Sequence, residues 1–66
     1  MTTVCITYNT ITTIITFTHW TDAIETVEKF LRSFYPDIKD WEVELAMIQL
    51  EERPFVRYKN FFADLS

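Results

Sequence analysis

The segment from residue 21 to residue 35, TDAIETVEKFLRSFY, limits the possible folds most strongly, because its apolar residues recur at the spacing of an α-helix. On a projection of about 100° per residue, the apolar side chains share an arc of roughly 140°, opposite the polar ones. The apolar arc consists of Ala23, Ile24, Val27, Phe30, Leu31, Phe34 and Tyr35. Thr21 or Asp22 can cap the first turn, and Pro36 disfavours helical geometry at the residue before it. The sequence therefore predicts one amphipathic helix that needs an apolar surface to pack on.

The N-terminal part supplies such a surface. All ten threonines lie at or before residue 26, mixed with Val and Ile, and β-branched residues favour strands. A turn at Asn9–Thr10 predicts a hairpin that pairs Tyr8 with Ile11, although Thr disfavours the positive φ of such turns. One face then carries Val4, Ile6, Tyr8, Ile11, Ile15 and Phe17. The other face carries Thr3, Cys5, Thr7, Thr12, Ile14, Thr16 and Thr18.

The second half leaves alternatives open. From Trp41 to Glu52, WEVELAMIQLEE, apolar and polar residues alternate as in a strand, but Glu, Leu, Ala, Met and Gln favour a helix. Strand is the preferred interpretation, because an isolated two-stranded hairpin is only marginally stable. Residues 55–59 fit a short edge strand, or a final helix that begins at Pro54. The whole indicates one α+β domain, residues 1–66, with a small antiparallel sheet and one helix on one face, in the order ββαβ(β).

The sequence shows no pattern that indicates catalysis, a cofactor or a metal site. One cysteine and one histidine fall short of the three or four ligands of a zinc site, and the hairpin register separates Cys5 from His19. On a strand, Glu42 and Glu44 would lie about 6.6–6.8 Å apart, a spacing seen in glycoside hydrolases, but alternating Glu is also what keeps an exposed strand face hydrated. The absence of glycine excludes a Gly-rich phosphate loop. We therefore expect a protein that is not an enzyme.

The charge distribution indicates what kind of partner the chain has. Ten acids against six bases give a net charge of −4, which disfavours direct contact with nucleic acid or an anionic membrane. Threonines interrupt the apolar N-terminal run, so we expect neither a membrane span nor a secretory signal and place the chain in the cytoplasm. The acids concentrate between residues 37 and 52, and an acidic strip favours docking on a basic surface. The predicted partner-binding residues are Asp37, Asp40, Glu42, Glu44, Glu51 and Glu52.

In general character the chain resembles small proteins that phages encode against their hosts. The features that carry the resemblance are the uncharged strand pair (residues 3–8 and 11–18), the helix start T-D-A-I-E and the acidic segment W-E-V-E-L. The chain is similar in type to anti-CRISPR proteins and RNA-polymerase inhibitors. This implies a viral inhibitor, active in the host cytoplasm, that blocks a basic, nucleic-acid-binding surface of a larger protein or ribonucleoprotein complex. The alternative is a homodimeric structural or regulatory module that assembles through the Thr-rich hairpin, whose edge lacks blocking Lys or Pro residues.

Overall fold

The computed structural model describes residues 1–66 and contains four strands and two helices. The elements are β1 (Thr2–Tyr8), β2 (Ile11–Phe17), α1 (Trp20–Phe34), α2 (Asp40–Glu52), β3 (Phe55–Tyr58) and β4 (Phe61–Leu65). The strands form one sheet in the order β2-β1-β4-β3, and every neighbouring pair is antiparallel. The α+β class is confirmed, but the predicted order with one helix is wrong, since the chain runs ββααββ.

The N-terminal hairpin has the predicted register. Tyr8 pairs with Ile11 and Val4 pairs with Ile15. At the turn only Asn9 takes a positive φ, 58°, so Thr10 avoids the conformation that Thr disfavours. Asn is one of the few residues that enters this left-handed region readily. The Asn-Thr turn is therefore compatible with a tight hairpin.

Helix α1 lies within one residue of the predicted bounds at each end. Ala23, Val27 and Leu31 are buried along its inner side, and the helix packs on β1, β2 and β4. The backbone N–H of Tyr35 still donates to the carbonyl of Leu31 at 3.0 Å, and the chain leaves helical geometry there, immediately before Pro36.

The segment from Trp41 to Glu52 is a helix, and the strand interpretation is wrong. Val43, Ala46 and Leu50 recur three and four residues apart and are buried, as one side of a helix requires. The further strands that the hairpin needs come from the end of the chain instead. Phe55–Tyr58 is an edge strand as predicted, not a helix, and Phe61–Leu65 is inserted between β3 and β1.

Both helices cover the same face of the sheet, and a single core of eleven buried side chains lies between them and the strands. Phe61, on the central strand β4, is fully buried near Phe34. Tyr8 stacks on Phe34 with ring centroids 4.1 Å apart. Neither helix combines the length and the apolar character that crossing a membrane requires.

Candidate functional site

The largest concave surface is an open groove of about 730 Å³ between α1 and α2. Carboxylates line it from both helices, and apolar side chains of α2 form its floor. The carboxylates belong to Glu28, Asp40, Glu44 and Glu51. The floor consists of Val43, Met47 and Ile48. We call this surface the acidic groove.

Helix geometry explains why the acids of α2 meet there. Asp40, Glu44 and Glu51 are four and seven residues apart, so they fall within an arc of roughly 40° at about 100° per residue. That arc borders the buried side of the helix, which packs on the core and on β3. The acids therefore face α1, which contributes Glu28 to the same groove.

One cation, Arg32, lies in the acidic groove. Its guanidinium donates to Asp40 at 3.1 Å and to Glu28 at 3.2 Å. These hydrogen bonds, first to Asp40 and then to Glu28, raise the pKa of Arg32 above its ordinary value. Both ion pairs are exposed, so each contributes little to stability. Glu44 and Glu51 have no ion-pair partner, and four carboxylates against one guanidinium leave the groove with a formal charge of −3.

The acidic groove continues toward the start of α1. A smaller concave region beside it shares Glu28 and Glu51 and adds Glu25, Trp20 and Ile24. Trp20 is partly exposed there, so the acidic surface ends against an aromatic ring. The sequence did not single out Glu25 or Glu28 as site residues. Both lie on the polar side of the predicted helix, but only the packing of α1 against α2 brings them to the acids of α2.

The structure places the other three predicted partner-binding residues elsewhere. Glu42 is half-buried and accepts hydrogen bonds from the Lys39 backbone N–H at 3.1 Å and from the Tyr58 hydroxyl at 3.0 Å. Partial burial and the bond to Glu42 raise the pKa of the Tyr58 hydroxyl above its ordinary value of 10.0. Asp37 is exposed in the connection between the helices, and Glu52 is exposed outside the acidic groove. Glu42 thus links the start of α2 to the Lys39 backbone and to Tyr58.

The residues considered for catalysis are also separated. On a helix, Glu42 and Glu44 project roughly 160° apart, so they do not flank a common substrate position. Cys5 lies opposite Ile14 in the sheet, while His19 is exposed just before α1. No group of three or more His, Cys, Asp or Glu side chains is arranged to hold a metal ion.

Comparison with known proteins identifies no relative of this chain. No protein-family model matches it, and neither a curated protein nor a solved structure does. The function is therefore inferred from the surfaces of the chain itself, among which the acidic groove is the largest concave one.

Proposed function

We propose that this chain is a non-enzymatic binding protein whose acidic groove holds a basic segment of a larger protein complex. The observation that carries the proposal is the pair of unpaired carboxylates, Glu44 and Glu51, beside Glu28 and Asp40 over an apolar floor. Within the folded chain these charges are left to water. A partner that supplies Lys or Arg side chains would pair with them.

The shape and charge of the groove favour one kind of ligand. Like charges in a concave surface focus the potential and raise the local concentration of cations. Met47 is half-buried and Ile48 is 49% exposed, so the floor also offers apolar contact. Met adapts to irregular surfaces because its side chain is flexible and polarizable. An amphipathic basic segment, with Lys or Arg on its flanks and apolar residues between them, satisfies both features.

Such a ligand makes the chain a candidate inhibitor of nucleic-acid binding. A surface that holds a phosphate backbone presents clustered Lys and Arg side chains, and the carboxylates of the acidic groove can occupy them in place of phosphates. In this proposal the chain contacts the protein component only, in the manner of phage-encoded inhibitors such as anti-CRISPR proteins, and acts in the cytoplasm of the host cell. It binds neither nucleic acid nor a membrane itself.

Adjacent glutamates provide a matched test. Glu51 lines the acidic groove, whereas Glu52 is exposed outside it. We expect Glu51→Lys and Glu44→Lys to weaken capture of a basic complex from bacterial lysate by at least about tenfold, since losing one close charge pair costs on the order of 1.4 kcal/mol near a surface. Glu52→Lys should keep capture within about twofold.

The captured complex must also show the proposed inhibition. Adding the wild-type chain should release labelled nucleic acid from the purified complex, and fluorescence anisotropy of the label measures this release. Glu51→Lys should release much less. If Glu51→Lys and Glu52→Lys weaken capture equally, the net charge of the chain determines binding and the acidic groove does not. Capture without release of nucleic acid would contradict inhibition.

A further inference from the structure

The two edges of the sheet differ in how they are protected. The β3 edge has four residues, follows Pro54, carries Arg57 and is followed by Lys59, all features that discourage strand addition. The β2 edge has seven residues, ITTIITF, with no charge and no proline. The β3 edge is therefore protected against strand addition, and the β2 edge is not.

The hydrogen bonds of β1 show which groups of β2 are free. Thr3 exchanges two backbone hydrogen bonds with Ser66, at 2.8 and 2.9 Å, so its polar backbone groups point toward β4. Successive residues of a strand point these groups to opposite sides. The residues of β1 that bond to β2 are thus Thr2, Val4, Ile6 and Tyr8. Their partners in β2 direct their backbone N–H and C=O groups toward β1, so these groups are not available to another strand. The residues of β2 with outward N–H and C=O groups are Thr12, Ile14 and Thr16.

Two large apolar side chains on this edge lack cover. Ile11 is 71% exposed and Ile14 is 67% exposed, more than any other large apolar side chain after Met1. Ile14 lies on the face without helices, while Ile11 lies on the helix-bearing face at a point that α1 leaves uncovered. A strand placed beside β2 would contact both.

We propose that two copies of this chain pair antiparallel through β2, around a two-fold axis at Ile14, into one continuous sheet of eight strands. Ile14 is the midpoint of β2, and this register sets Thr12 opposite Thr16 and Ile11 opposite Phe17 of the second copy. Thr12 then meets Thr16, Ile14 meets Ile14 and Ile11 meets Phe17, which are favourable cross-strand pairs, while Thr13 lies opposite Ile15. The outward groups form three hydrogen-bonded residue pairs, or about six hydrogen bonds.

The chemistry of β2 favours a second copy over a foreign strand, because five of its seven positions meet a residue of the same type in this register. The acids of α2 do not interfere, since α2 packs on β3 at the other edge. An axis normal to the sheet keeps both helix layers on one face, so the two acidic grooves point to the same side. This proposal stands on the edge alone and does not depend on what the acidic groove binds.

The contact is small. Each copy contributes seven residues of β2, far fewer than the roughly 20–30 residues that each partner contributes to a standard protein interface. We therefore expect a dimer that dissociates at micromolar concentrations. Light scattering should show the mass rising from 7.9 kDa toward twice that value as the concentration increases.

Cysteine cross-linking tests the axis directly. In a Cys5→Ser background, Ile14→Cys should form a disulfide-linked dimer with oxidised glutathione, because Cα atoms of a hydrogen-bonded pair lie about 5.5 Å apart. Cys5 must be replaced, since it faces Ile14 within one chain. Thr12→Cys is the matched control, because two copies of Thr12 would lie about 14 Å apart in this register. A mixture of Thr12→Cys and Thr16→Cys chains should cross-link.

A charged edge gives a second, independent readout. Thr12→Lys/Thr16→Lys should remain at 7.9 kDa at every concentration with an unchanged circular dichroism spectrum, because both positions are exposed. Its net charge falls from −4 to −2, so overall repulsion cannot explain loss of the dimer. Wild-type chain that stays monomeric at about 500 µM, far above a micromolar dissociation constant, would overturn the proposal. So would self-linking of Thr12→Cys as efficient as that of Ile14→Cys.

Discussion

Replacing Glu51 by lysine should stabilise the protein while it weakens the proposed binding. Helix α2 carries Glu51 and Glu52 in its last turn and no basic residue there. The C-terminal end of a helix bears a partial negative charge of about half an elementary charge, so acids at this position are unfavourable. Glu51 also lies in the acidic groove with other carboxylates. Both effects act against folding, and Glu51→Lys reverses both.

The expected gain can be worked from the position of the residue. A charge in the last turn of a helix contributes about 0.3–1 kcal/mol, so reversing its sign gives about 0.6–2 kcal/mol. Glu44 is two helical turns away, about 10 Å, where a unit charge contributes about 0.4 kcal/mol in water. The reversal also turns this repulsion into an attraction, a change of about 0.8 kcal/mol, so Glu51→Lys should gain about 1.4–2.8 kcal/mol and Glu52→Lys about 0.6–2 kcal/mol. For a domain of this size each kcal/mol raises Tm by about 4–8 °C.

Urea unfolding, followed by the fluorescence of Trp20 and Trp41, measures the gain. The gain in stability should become smaller between about 0.01 M and 1 M salt, because the Debye length falls from about 30 to 3 Å. Glu51→Lys should gain stability and lose binding, whereas Glu52→Lys should gain stability and keep binding. If Glu51→Lys unfolds at lower urea than the wild type in low salt, Glu51 makes a favourable contact and is not an unpaired acid.

Two further substitutions test local features. The raised pKa of Tyr58 means that folding favours the protonated hydroxyl, so the stability that the hydroxyl contributes is complete below pH about 10 and is lost as pH rises through the folded-state pKa. Urea unfolding across this pH range should show a smaller loss of stability for Tyr58→Phe than for the wild type. An identical loss would exclude the Tyr58 hydroxyl as the source of the pH dependence. At the hairpin turn, Asn9→Ala should cost about 1–2 kcal/mol because Asn9 has a positive φ. Asn9→Gly should cost nothing, and equal stability of the two variants would contradict the role of this φ value.

The elements that could be predicted from sequence are those whose local pattern agrees with their burial. The β1–β2 register and the bounds of α1 follow from such patterns. Helix α2 does not, because Trp41, Leu45 and Ile48 are 62%, 51% and 49% exposed. These exposed apolar residues obscure the helical spacing of the buried ones, and Trp41 and Leu45 complete an alternation that resembles a strand. Exposed apolar side chains thus led to the wrong element.

The candidate site was predictable only in part for the same reason. A strand would have set Glu42 and Glu44 side by side, but the helix directs Glu42 to Tyr58 and Glu44 to the acidic groove. The acids that the helix does bring together, Asp40, Glu44 and Glu51, were among the predicted residues. Glu28 comes from another helix, and a pattern within one segment carries no information about which helix packs beside it.

The central position of β4 has a consequence for how the protein reaches its native state. Val4 pairs with Leu65, so the middle of the sheet joins segments from opposite ends of the printed sequence. During synthesis, β1, β2 and α1 leave the ribosome before β4 does, and the backbone groups of Thr3, Cys5 and Thr7 stay unpaired until β4 arrives. Such long-range pairing slows folding. A nascent chain that lacks β4 therefore has two open strand edges, and it is most prone to aggregate at that stage.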